Sequence, residues 1–155
     1  MSIAELSIRR PITTIMFFVT MVVIGLIAAI RLPLEGNAAD TVLSVNDLDD
    51  FARFADHLEQ GPTGQPVQRV VILGAGLIGC EFANDLLARG IAPTVIDLAD
   101  RALPRLLPAE ASLRLQDKLV AAGAQFRFGV GAQSVQRGPN GLVVTLNDGT
   151  TLETD

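Results

Sequence analysis

The sequence has few of the residues that many kinds of functional site require. Its 155 residues include one Cys (Cys80), one His (His57), and neither Trp nor Tyr. A single Cys excludes an internal disulfide or CxxC redox pair, and one Cys with one His cannot build a zinc site within the chain. The net charge of −5 and the scarce aromatics argue against a nucleic-acid partner. We therefore predict no metal site and no catalytic side chain, and expect any redox chemistry to belong to a bound cofactor.

The apolar residues are concentrated near the N-terminus. Residues 12–30 form a run of 19 residues without a charge, about the length a helix needs to cross a bilayer core. Arg9 and Arg10 precede the run, and Arg31 and an acidic stretch follow it. The positive-inside rule then predicts a single-pass membrane protein with a cytoplasmic N-terminus. The alternatives are a cleaved signal peptide, whose apolar core is usually about 7–15 residues long, and a buried helix of a soluble domain.

A linker and a helix are predicted between residues 34 and 66. Asn46 or Asp47 is a candidate N-cap, and Gly61 and the prolines after it end the helix. His57 is interpreted as a solvent-exposed helix residue. The apolar positions recur at the spacing of three and four residues typical of a helix, and they are Leu48, Phe51, Phe54, Ala55 and Leu58.

A glycine-rich turn follows the next predicted element. Residues 69–73 form a short β-branched run, typical of a strand buried on both faces of a parallel sheet. A helix is predicted from residue 80 to residue 89, ending at Gly90. The turn between them has the spacing GxGxxG, whose glycines permit a tight turn, close approach of a pyrophosphate, and close packing of helix on strand. The helix N-terminus would then bind the pyrophosphate. The candidate binding residues are Gly74, Ala75, Gly76, Leu77, Ile78 and Gly79; a purely structural glycine turn is the alternative.

An acidic residue supports the nucleotide hypothesis. Residues 93–97 predict a second strand that ends at Asp97, 18 residues after Gly79 and close to the offset of about 20 expected for the acid that binds the adenosine ribose. A carboxylate there favours NAD over NADP, although Arg101 keeps NADP open. A helix or turn cap is the other interpretation of Asp97. Cys80 is interpreted as a packing residue at the start of the helix.

The string from residue 74 to 85 (GAGLIGCEFAND), with residues 95–100 (VIDLAD) and 103–108 (LPRLLP), resembles the FAD-dependent pyridine nucleotide oxidoreductases, and within them the rubredoxin reductase branch. The resemblance spans about residues 31–155. It implies a Rossmann-like, three-layer α/β NAD-binding domain with an antiparallel β-meander. It also implies hydride transfer from NADH to FAD and electron transfer to a rubredoxin-like acceptor. Glu81 matches a family glutamate near the nicotinamide; a first-turn carboxylate stabilised by the helix dipole is the alternative.

The C-terminal pattern agrees with that architecture. A helix is predicted from residue 107 to 122 and a strand from 125 to 128. Turns at Gly138–Gly141 and Asp148–Gly149 then separate three strands of an antiparallel meander, at residues 134–137, 142–146 and 150–154.

A second resemblance covers the N-terminus. Residues 1–33, from the lead MSIAELSIRRP to Arg31–Pro33, resemble the cytoplasmic lead and first transmembrane helix of a resistance-nodulation-division (RND) efflux permease. The sequence has only one GxGxxG motif, which we assign to NAD. The family resemblance implies FAD as a second cofactor, but the FAD-binding domain is absent from this sequence. We therefore predict three parts: residues 1–33 as lead and transmembrane helix, 34–66 as linker and helix, and 67–155 as an NAD-binding domain truncated at its C-terminus. The chain is interpreted as a fusion or truncated reading frame, incomplete as an enzyme. The alternative function is a membrane fragment of an RND-type permease with an inert fused domain.

Overall fold

The computed structural model describes residues 34–45, 47–61 and 64–155. The elements within these residues are a 3-10 turn at Ala39–Thr41, α1 (Leu48–Gln60), β1 (Arg69–Leu73), α2 (Leu77–Ala88), β2 (Ala92–Asp97), α3 (Ala109–Ala121), β3 (Gln125–Phe128), β4 (Ala132–Gly138), β5 (Gly141–Leu146) and β6 (Thr151–Thr154). This is a mixed α/β, Rossmann-like fold, as predicted.

The first three strands form a parallel sheet in the order β1-β2-β3. Val71 of β1 lies opposite Thr94 of β2, and Ile96 of β2 lies opposite Arg127 of β3. Parallel strands need a crossover, and α2 and α3 provide the two that this order requires. Because the three strands are parallel, their carboxyl ends lie together at one end of the sheet.

The parallel sheet is the middle of three layers. On one face, Val95 and Ile72 pack with residues of α2 and α3 in a core that includes Ala83 and Leu119. On the other face, Val71 and Ile96 pack against the meander in a second core. Successive side chains of a strand point to opposite faces, so a continuous apolar run is what a strand covered on both sides requires. The second core is formed by Ala38, Ile96, Val135, Val144 and Leu146, which are all buried.

The last three strands form an antiparallel meander in the order β4-β5-β6. Gly138 pairs with Gly141 across the first hairpin, and the register shifts at a bulge between Ala132 and Ser134. The predicted turns and strands of this region are confirmed. The N-terminal end of the described chain runs beside β4, where the N–H of Val135 donates to the carbonyl of Glu35 at 2.8 Å.

Helix α1 begins where its sequence predicts, but its apolar face is only partly packed, since Leu48 is 81% and Phe51 45% exposed. The Asp47 side chain accepts a hydrogen bond from the Asp50 N–H at 2.8 Å, which makes Asp47 the N-cap. Leu58 is buried against α2 and β1, and Phe54 contacts Phe82 of α2 edge-on, with ring centroids 5.2 Å apart. His57 is exposed, as interpreted above.

Two helix boundaries differ from the prediction. Helix α2 begins at Leu77, with Gly76 as its N-cap, so Gly79 lies inside the helix. Helix α3 begins at Ala109 because Pro108 has an extended ψ of 154° and serves as its N-cap. The predicted domain limits at residues 33 and 66 stay predictions.

The predicted membrane localisation is wrong. Helices α1, α2 and α3 have 13, 12 and 13 residues, whereas about 20 are needed to cross the hydrocarbon core. Across residues 34–45, 47–61 and 64–155, no helix has the length and apolar character of a membrane span. The apolar run at residues 12–30, on which the prediction was based, lies outside the described residues.

Candidate nucleotide-binding site

The glycine-rich turn connects the end of β1 to the start of α2. Gly74 has a φ of +114°, which a residue with a Cβ rarely adopts, and its N–H donates to the Ile96 carbonyl at 2.8 Å. A Cβ added to Gly79 would lie 1.9 Å from the Gly74 carbonyl oxygen. The first and third glycines are therefore needed by the turn itself, whether or not a ligand binds.

Gly76 differs from these two glycines because its surroundings are open. A Cβ on Gly76 would meet no heavy atom within 4 Å, and its φ of −75° suits any residue. Gly76 caps α2 without a side-chain hydrogen bond. The first N–H groups of a helix lack intrahelical acceptors and carry the positive end of the dipole. The space at Gly76 therefore fits a group such as a pyrophosphate, which needs close approach to backbone.

Asp97 lies at the carboxyl end of β2, beside the turn. Its Oδ2 accepts a hydrogen bond from the Ala75 N–H at 2.6 Å, and its Oδ1 accepts one from the Ala99 N–H at 2.7 Å. The turn cap that sequence reasoning left open is thus present. Each carboxylate oxygen has a second lone pair, so the same group can also accept from a ribose hydroxyl.

A contact that sequence reasoning missed holds the turn from its other side. The Leu103 N–H donates to the Ala75 carbonyl at 2.9 Å, and Leu103 is the one non-glycine residue of the described chain with a positive φ, +51°. Ser112 of α3 is fully buried and its hydroxyl donates to the Ala102 carbonyl. Because these contacts join segments distant in sequence, no local pattern signals them.

Glu81 is exposed on α2. The helix begins at Leu77, so Glu81 is its fifth residue, and the first turn of α2 contains no acidic residue. The first-turn alternative for Glu81 is therefore wrong. Leu77 and Ile78, in the first turn, are 53% and 62% exposed, an unusual condition for two adjacent aliphatic side chains beside a candidate site.

The two remaining candidates have structural partners. Cys80 is buried, and its thiol lies 3.6 Å from the Ala75 carbonyl oxygen. Burial raises the pKa of the Cys80 thiol, and the Asp97 carboxylate raises it further. This confirms the interpretation of Cys80 as a packing residue. The Arg101 guanidinium pairs with Asp100 at 3.1 Å and reaches the Pro104 carbonyl at 3.4 Å.

A separate concavity lies between α1 and α2. This α1–α2 groove has a volume of about 250 Å³. It contains no backbone turn or cluster of convergent polar groups comparable with residues 74–79. Its lining residues are Phe51, Phe54, Ala55, Leu58, Phe82, Asp85, Leu86, Ala88 and Arg89. Of the residues the structure describes, no group of three or more His, Cys, Asp or Glu is placed to hold a metal ion.

A parallel β-α-β unit with an open glycine at the helix N-terminus and an acid at the end of the second strand defines a dinucleotide-binding class of domain. Comparison with known proteins identifies the family. The profile of the pyridine nucleotide-disulphide oxidoreductases matches residues 20–155. The chain belongs to this family, whose members are FAD- and NAD-dependent oxidoreductases.

Individual relatives agree with the profile. The rubredoxin-NAD(+) reductase of Alcanivorax borkumensis is 47% identical over 124 residues, which cover 79% of this chain and 31% of that protein. The same-named protein of Acinetobacter baylyi is 42% identical, covering 81% of this chain and 31% of that protein. A ferredoxin reductase structure from Rhodopseudomonas palustris is 31% identical with a TM-score of 0.63, covering 71% of this chain and 26% of its own. The chain thus spans about a third of the length of the curated relatives it matches.

The comparisons also bear on the N-terminal segment. The family match begins at residue 20, inside the run of residues 12–30 that was predicted to span a membrane. The resemblance of residues 1–33 to an RND permease finds no support in these matches, and neither does a membrane partner.

Proposed function

We propose that this chain is the NAD(H)-binding module of a rubredoxin-reductase-like, FAD-dependent oxidoreductase. The observation that carries the proposal is the open space at Gly76, at the N-terminus of α2, beside glycines that the turn itself requires. Backbone N–H groups of residues 74–79 would bind the pyrophosphate of the dinucleotide. The residues in this role are Gly74, Ala75, Gly76, Leu77, Ile78 and Gly79.

Asp97 supports NADH rather than NADPH as the ligand. The free lone pairs of its carboxylate would accept hydrogen bonds from the adenosine ribose hydroxyls, and its charge would repel a 2′-phosphate. Arg101, the cation that kept NADP open, is paired with Asp100 and the Pro104 carbonyl. Leu98, the residue after Asp97, is apolar and 72% exposed, so it supplies no cation for a phosphate.

Glu81 and the exposed first turn of α2 support an orientation for the dinucleotide. With the adenosine ribose at Asp97, the nicotinamide would lie on the opposite side of the turn, toward Glu81. When bound, NADH supplies a hydride, and FAD carried outside the described residues would accept it. The exposure of Leu77 and Ile78 is consistent with burial against such a flavin-bearing part. The names of the two curated relatives, rubredoxin-NAD(+) reductases, support a rubredoxin-type, iron–sulfur electron acceptor.

Titration of the full chain with NADH and NADPH tests this function. NADH fluorescence can be followed without a tryptophan background because the chain has no Trp. We expect micromolar NADH binding, weaker NADPH binding, and loss of both in Gly76→Val. The matched control is Ala88→Val, which adds bulk at the exposed far end of α2. Absence of NADH binding to the folded wild-type chain, or equal losses in both variants, would contradict the proposal.

A further inference from the structure

We propose that Asp97 is a positioning residue that holds the pyrophosphate-binding turn in its binding conformation, a role separate from any contact with the ribose. This inference deepens the proposed function and rests on it for the identity of the ligand. It comes from the two hydrogen bonds that the carboxylate accepts, from the Ala75 N–H at 2.6 Å and from the Ala99 N–H at 2.7 Å.

The Ala75 peptide is the point at which the turn is held. Ala75 has no exposed surface, so its N–H and carbonyl cannot be satisfied by solvent and need protein partners. The Asp97 carboxylate accepts from the N–H, and the Leu103 N–H donates to the carbonyl. The middle residue of the sequence Gly74-Ala75-Gly76 is therefore fixed on both sides, by the last residue of β2 and by the segment that follows β2.

Both carboxylate oxygens of Asp97 are required for this arrangement. Oδ2 accepts from Ala75 of the turn, and Oδ1 accepts from Ala99 of the following segment. An asparagine has one acceptor oxygen, and its NH₂ group is a donor. In either amide orientation, Asp97→Asn places a donor against one of two backbone N–H groups, so one of the two connections is lost.

A role limited to the ribose predicts a different result from a positioning role. If Asp97 only bound ribose, its neutralisation would leave ligands without a ribose unaffected, or would favour anionic ones by removing a negative charge near the turn. If Asp97 holds the turn, Asp97→Asn weakens the binding of inorganic pyrophosphate despite the more favourable electrostatics. The two roles therefore predict opposite signs.

Amide hydrogen exchange of the full chain, measured by NMR without nucleotide, tests the positioning role directly. We expect the Ala75 and Ala99 amides to be protected in the wild type and at least one of them to exchange about tenfold faster or more in Asp97→Asn, as the loss of a hydrogen bond to a charged acceptor implies. Val71 and Ile72 of β1 should keep their protection. Asp100→Asn is the matched control, since Asp100 lies in the same segment with a side chain that is 79% exposed. Unchanged protection of both the Ala75 and the Ala99 amide in a folded Asp97→Asn chain would overturn the proposal.

Two further measurements keep the test decisive. If Asp97→Asn does not fold, Asp97→Glu is measured instead. The carboxylate of this variant is displaced by one methylene group, so we again expect faster exchange of the Ala75 amide. Unchanged protection of that amide would overturn the proposal. The inhibition constant of inorganic pyrophosphate against NADH, corrected for the NADH affinity of each chain, should be at least about threefold higher in the variant, and an unchanged or lower constant would limit Asp97 to the ribose. Because exchange is measured without nucleotide, failure of the wild type to bind NADH would reject the proposed function and leave the exchange result intact.

Discussion

Gly76 and Gly79 stand in the same motif, yet the structure predicts opposite consequences for an added methyl group. Gly79 lies within α2, where helix propensity alone favours alanine over glycine by about 1 kcal/mol. The added Cβ would lie 1.9 Å from the Gly74 carbonyl oxygen, below the 3.0 Å that real contacts respect. One of the two segments must therefore move by about 1.1 Å.

The clash in Gly79→Ala is with backbone, so no side chain can rotate to relieve it. The Gly74 N–H is bonded to Ile96 of β2, which restrains the turn from moving away. Overpacking of this kind is worth about 1–3 kcal/mol. With about 3 kcal/mol for a rigid contact, offset by about 1 kcal/mol of propensity, we expect Gly79→Ala to lower the free energy of unfolding by about 2 kcal/mol.

Gly76→Ala is the matched control, because a Cβ there meets nothing within 4 Å and the backbone is ordinary. We expect its free energy of unfolding to fall by at most about 1 kcal/mol, because alanine is a poorer N-cap than glycine, while NADH binding falls because the methyl group occupies the approach to the turn. Urea unfolding followed by far-UV circular dichroism gives the stabilities, and NADH fluorescence gives the affinities. A Gly79→Ala chain as stable as the wild type, or a Gly76→Ala chain that binds NADH normally, would refute the reasoning.

Three further predictions concern contacts around the site and the sheet. Burial and the Asp97 carboxylate raise the pKa of Cys80, so iodoacetamide at pH 8 should alkylate the folded chain at least about tenfold more slowly than the unfolded chain; equal rates would contradict this. Ser112→Ala removes the buried hydroxyl that donates to the Ala102 carbonyl, and urea unfolding should show a loss of about 1–2 kcal/mol, whereas an unchanged midpoint would count against the contact. Burial raises the pKa of Asp155, but hydrogen bonds from Arg69 and the Gln68 N–H outweigh it, and the net pKa is lowered. A depressed carboxyl pKa stabilises the fold above the unfolded value and loses that effect as pH falls. Arg69→Met should therefore lower stability by up to about 1 kcal/mol at pH 7, with the difference shrinking below about pH 4; a pH-independent difference would contradict the pairing.

Much of the fold could be predicted because local patterns determine it. The uninterrupted apolar run of β1 predicts a strand covered on both faces, and the structure covers it with helices on one side and the meander on the other. Asp47 caps α1 as its position before the apolar repeat suggests. The sequence also predicts that Gly79 and Asp97 lie close together. Gly79 follows the first strand and Asp97 ends the second, and parallel strands have their carboxyl ends on the same side of the sheet.

The parts that could not be predicted depend on contacts between distant segments. The partners of Ala75 are Asp97 and Leu103. The first contact depends on the pairing of β1 with β2, and the second on the chain after β2 folding back over the turn. The glycine spacing predicts a loop up to Gly79 and a helix from Cys80, whereas α2 already begins at Leu77, three residues earlier. The membrane prediction failed for a different reason. It depended on the hydropathy of one uncharged run, residues 12–30.

The most direct test of the central claim is an NMR titration of the full, ¹⁵N-labelled chain with NADH. The nucleotide-binding account predicts saturable shifts of the amides of Gly74, Gly76 and Asp97, with smaller shifts for NADPH at the same concentration. Absence of shifts at these residues, or shifts confined to the α1–α2 groove, would contradict it.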